Sequence, residues 1–89
     1  MIPSLTMLAV WHKAAIVPNY DPNTVRKDPC GHFIVWSHYG SRNSEYGWEI
    51  HHLTAKANGG SDNLGNLVAL QWENNLMTGT HSSIICKRI

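Results

Sequence analysis

The chain has 89 residues, 43% of them hydrophobic and 15% charged, with a formal net charge of +1 when histidine is neutral. That length bounds it to one domain with a thin core, and the apolar content excludes a disordered polymer. No stretch reaches the ~18 to 20 apolar residues of a membrane span, and the seven basic residues are scattered, so charge neither supports nor excludes a polyanionic partner.

Residues 5–17 are apolar around Trp11 and read as a short helix or an extended arm. Pro18 to Asn23 ends that run, because proline and Asn/Asp punctuate turns. Pro29-Cys30-Gly31 is a second turn, followed by the β-rich run Phe33-Ile34-Val35-Trp36. Residues 39–44 read as loop and 48–53 as a strand. The stretch 58–63, Asn-Gly-Gly-Ser-Asp-Asn, is a flexible loop. Residues 67–70 then pair back on 48–53 as a hairpin, and 71–77 form a helix stopped at Thr78-Gly79. The last segment, 82–89, reads as a strand or a tail. The four tryptophans, Trp11, Trp36, Trp48 and Trp72, are assigned to packing, since so thin a core needs them.

Cys30 and Cys86 are the only cysteines and form no C-x-x-C pair, so no zinc-ribbon spacing is present. They could form one disulfide. The N-terminus lacks the basic segment and long apolar core of a leader, so the expectation is a cytoplasmic chain with reduced thiols.

The strand–loop–strand–helix unit carries His51, His52, Asn66 and Asn75 at its element ends. Neighbouring residues on a strand point to opposite faces, so an adjacent His pair calls for a reason. Glu49-Ile50-His51-His52, then Gly59-Gly60, Asn66-Leu67 and Asn75 resemble the HNH nuclease family and its ββα-metal finger. The expected fold is therefore small α+β. Residues 47–81 would form the finger, 1–46 an N-terminal extension packed on it, and 82–89 a tail.

The resemblance implies a metal-dependent endonuclease that hydrolyses DNA to 5′-phosphate and 3′-hydroxyl ends in a bacterial or phage-infected cell. His52 takes the general-base role, for which neutral imidazole is suited. Asn66 would orient its ring by side chain or backbone carbonyl. His51 and Asn75 would bind one divalent metal ion. Where many family members carry Asp, this chain has His51, as in colicin-type nucleases. That moves preference among Mg, Mn, Ni, Co and Zn away from Mg and towards the transition metals. Glu49 and His81 are candidate supports, and Arg42, Arg26 and Lys56 candidate DNA contacts, Arg42 foremost. Thr78 stands about where the family often has a Lys, which removes one phosphate contact. The alternatives are a DNA-binding module without turnover, or a small subunit whose protein partner or second copy supplies DNA affinity.

Overall fold

A computed structural model describes residues 4–88 of the chain. Helix α1 spans Ser4–Lys13, and the short strands β1 (Ala15–Ile16), β2 (Val25–Lys27) and β3 (Phe33–Val35) follow it. They form an antiparallel sheet in the order β1-β2-β3. Strands β4 (Trp48–His52) and β5 (Leu67–Gln71) form a separate antiparallel pair, and helix α2 (Trp72–Thr78) follows β5 directly. The fold is a small mixed α+β arrangement. Among the described residues no helix is long and apolar enough to cross a membrane.

Alternation on the β4–β5 hairpin assigns its two faces. Trp48, Ile50, Leu67 and Ala69 lie on one face, and Val10 and Trp11 of α1 with Ile34 of β3 close the core over it. Trp11 and Trp48 are 1% and 0% exposed, with ring centroids 5.2 Å apart. Each indole N–H finds a backbone carbonyl, Trp11 on Pro22 and Trp48 on Trp36, so burial leaves no donor unpaired. Glu49 and His51 lie on the other face, against which α2 packs. The core therefore takes one side of the hairpin, and polar chemistry is left on the other.

Two polar anchors, one buried and one exposed, tie the N-terminal segment to this unit. Asp28, 4% exposed, accepts from Cys30 and His32 backbone N–H groups through one oxygen, and from Gln71 N and Asn74 Nδ2 through the other. At the end of α1, the Lys13 ammonium donates to the carbonyls of Leu64 and Leu67.

The thiols are not reduced. Cys30 and Cys86 are joined in a disulfide across 56 residues of sequence, which corrects the expectation of free thiols. Their remoteness in sequence hid the pairing. The segment after α2 is neither a strand nor loose. Thr78 Oγ1 both accepts from Ile85 N and donates to Ile85 O, and Lys87 N donates to Asn74 Oδ1 at 2.7 Å.

The loop from β4 to β5 closes on Asn66. Its Oδ1 accepts from Thr54 N at 2.7 Å, and its Nδ2 donates to the carbonyls of Thr54 and Ser61. Gly59 turns the chain at a φ of +88°, and a Cβ on Gly60 would sit 1.7 Å from the Thr54 carbonyl oxygen. Backbone cannot yield there as a flexible side chain does. Gly60→Ala is therefore expected to cost at least about 1 to 3 kcal/mol, the usual range for overpacking, measurable by urea denaturation.

Candidate functional site

His51, His52 and Asn75 line one cleft of about 240 Å³. The pairing register runs unbroken through His51↔Val68 and His52↔Leu67, so no bulge separates the two histidines. Successive side chains leave a strand on opposite faces, so a cleft lined by both must wrap the end of β4, where the strand stops at His52.

His51 is 5% exposed, and its Nδ1 lies 2.9 Å from Asn75 Oδ1. The other end of the Asn75 amide, Nδ2, donates to Glu49 Oε1 at 2.8 Å. A carboxylate only accepts, so this contact fixes the amide orientation and turns its oxygen towards His51. Glu49 is held in turn by Arg42, whose Nε and one terminal nitrogen reach the two carboxylate oxygens at 2.8 and 3.0 Å. Such an exposed pair adds little to stability, because solvent screens it. Its consequence is geometric: Arg42, Glu49, Asn75 and His51 form one chain of contacts with no freedom to flip.

Burial raises the Glu49 carboxyl, but hydrogen bonds from Arg42 and Asn75 and the Arg42 charge outweigh it and hold the group below its ordinary range. A carboxylate depressed in the folded state stabilises it above the unfolded value, and that stabilisation disappears as pH falls through the lower folded value. The chain of contacts is thus intact at neutral pH and is lost only in acid.

Two donor atoms bound to one small ion at about 2.0 to 2.1 Å in neighbouring positions lie about 3 Å apart. His51 Nδ1 and Asn75 Oδ1 have that separation while sharing a hydrogen bond in which the ring N–H donates to the amide oxygen, so an ion bound by both atoms would take the place of that proton. This donor set suits a divalent transition metal. Among the described residues, no group of three His, Cys, Asp or Glu side chains gathers to hold a metal.

His52 is placed differently from expectation. The Asn66 side chain closes the loop, its backbone carbonyl accepts from Leu53 N at 2.8 Å, and neither group is hydrogen-bonded to the imidazole. The ring instead meets Asp62, with Nε2 at 2.7 Å from Oδ1. Lys56 Nζ takes the other carboxylate oxygen at 3.0 Å. Hydrogen bonds from His52 and Lys56 hold the Asp62 carboxyl below its ordinary range. Asp62 carries no sequence motif, yet it is the only carboxylate between His52 and β5. That solitary position was the available signal.

The candidate DNA contacts separate. Arg26 is corrected: it is 7% exposed, and its guanidinium donates to the carbonyls of Pro22, His12 and Ala14 while lying over the Trp11 ring. It binds the fold together and cannot reach a phosphate. Arg42 is exposed but paired with Glu49, and Lys56 lines the cleft itself. His81 caps the end of α2 with Nδ1 on the Thr78 carbonyl at 2.8 Å and does not line the cleft. Thr78 is fully buried, and its hydroxyl is turned inward to the segment after α2. Comparison of the chain with family models, curated proteins and solved structures gave no match.

Proposed function

We propose that the chain is a metal-dependent DNA endonuclease of the HNH type, with the β4–β5–α2 unit as its ββα-metal finger. The observation that carries this reading is His51 Nδ1 at 2.9 Å from Asn75 Oδ1, in a cleft shared with His52. His51 and Asn75 would hold one divalent ion, which supplies charge neutralisation at the phosphate and the departing O3′. His52 takes a proton from water, and the water oxygen bonds to phosphorus. The bond from phosphorus to O3′ breaks, and O3′ takes a proton from solvent. The products are 5′-phosphate and 3′-hydroxyl ends. Lys56, which lines the cleft, would meet a phosphate oxygen.

Supercoiled plasmid incubated with the protein and Mg²⁺, Mn²⁺ or Ni²⁺ tests the reading, alongside a gel shift in EDTA. Nicked or linear product is expected. A shift without cleavage supports a binding module. Neither response supports a subunit that needs a partner, and one observation favours that second reading: Lys56, the cation lining the cleft, and Arg42, which holds Glu49, each already carry a carboxylate.

Two further outcomes follow from the ligand assignment. Glu49→Ala releases the Asn75 amide and is expected to weaken Mn²⁺ or Ni²⁺ binding about 10- to 100-fold, the usual range for groups that orient ligands, read by calorimetry. His51→Asp replaces imidazole by a hard oxygen donor, so the ratio of Mg²⁺ to Mn²⁺ activity should rise relative to the parent. An unchanged ratio in a folded variant would remove His51 from the ligand set.

A further inference from the structure

Within this nuclease reading, we propose that Asp62, rather than Asn66, is the positioning residue of His52, and that it delivers Nδ1 as the atom that takes the proton. The two oxygens of Asp62 are both engaged, Oδ1 with His52 Nε2 at 2.7 Å and Oδ2 with Lys56 Nζ at 3.0 Å. A carboxylate only accepts, so the ring proton stands on Nε2 and the lone pair on Nδ1. His52 Nδ1 has no partner among the described residues, while no fully buried side-chain nitrogen or oxygen lacks one. Nδ1 is therefore not fully buried, and its residue lines the cleft. Asn66 makes no hydrogen bond to the ring, its amide and its carbonyl being bonded to Thr54, Ser61 and Leu53 instead.

Lys56 makes the assignment sharp. It is a pure donor, so it requires an oxygen on the atom of residue 62 that faces it. In Asp62→Asn the amide oxygen turns to Lys56, and the NH₂ group then faces Nε2. An N–H donor there demands a lone pair on Nε2 and drives the ring proton to Nδ1. The imidazole stays in place with the wrong nitrogen exposed, a fault known to be severe in other His–Asp pairs.

The test reads the tautomer directly. Long-range proton–nitrogen NMR correlation on ¹⁵N-labelled protein is recorded about two pH units above the reference imidazole value of ~6.5, with His52 signals identified by their loss in His52→Gln. The parent is expected in the Nε2–H form, Asp62→Asn in the Nδ1–H form, and Asp62→Ala as a mixture. Asp62→Glu should retain the parent form. Plasmid cleavage by Asp62→Asn should fall about 10²-fold or more, in kcat rather than KM, with Mn²⁺ binding unchanged. Retention of the Nε2–H form in both Asp62→Asn and Asp62→Ala overturns the proposal. A tautomer that follows residue 62 in a protein that never cleaves DNA upholds the positioning and sinks the nuclease reading instead.

Discussion

His52→Ala is expected to lower DNA cleavage by about 10²- to 10⁴-fold, the range for loss of a general base, while Ni²⁺ or Mn²⁺ binding stays as in the parent. The expectation rests on a division of labour between adjacent residues. His51 turns towards α2 and meets Asn75, whereas His52 turns towards the long loop and meets Asp62. The His52 ring shares no hydrogen bond with the Arg42–Glu49–Asn75–His51 chain, so truncating it should leave that chain undisturbed. Calorimetric titration beside single-turnover cleavage checks both halves. Metal binding lost in His52→Ala and kept in His51→Ala would exchange the two roles.

This division was partly legible in the sequence. The hairpin and α2 were expected at 48–53, 67–70 and 71–77 and stand at Trp48–His52, Leu67–Gln71 and Trp72–Thr78, because alternation and the Gly-Gly loop are local signals. The pairing of His51 with Asn75 was expected from the resemblance, which put both in one ligand set, and the two side chains do meet. The partner of His52 was not legible, because it depends on how a fourteen-residue loop, 53–66, folds back over the strand end. There Asn66 proved to be the staple of the loop, and Asp62, one turn earlier in the chain, the contact of the ring. Arg26 was misread for a related reason: a charge in a short strand reads as solvated until α1 and its carbonyls cover it.

Replacing both Cys30 and Cys86 by serine is expected to remove about 4 kcal/mol of stability, the chain-entropy value for closing a loop with a separation of 56 residues. Domains of this kind are typically stable by about 5 to 15 kcal/mol, so the loss takes a large part of the total. The core cannot compensate, since its fully buried cluster is confined to one face of the hairpin with α1 and β3. The bond also holds the segment after α2, whose Lys87 N–H caps Asn74. Asn74 in turn meets the buried Asp28 carboxylate and is the immediate neighbour of Asn75. Removing the disulfide should therefore loosen the junction between the N-terminal segment and α2 before it disturbs β4 or β5. Urea denaturation of the oxidised parent, the parent in reductant and the double serine variant measures the effect. The last two should coincide at a lower midpoint, with a steeper dependence on urea, because an uncrosslinked denatured chain exposes more surface. A difference below about 1 kcal/mol between parent and variant would mean that the Thr78–Ile85 and Lys87–Asn74 contacts hold the segment alone, with the disulfide adding little to the fold.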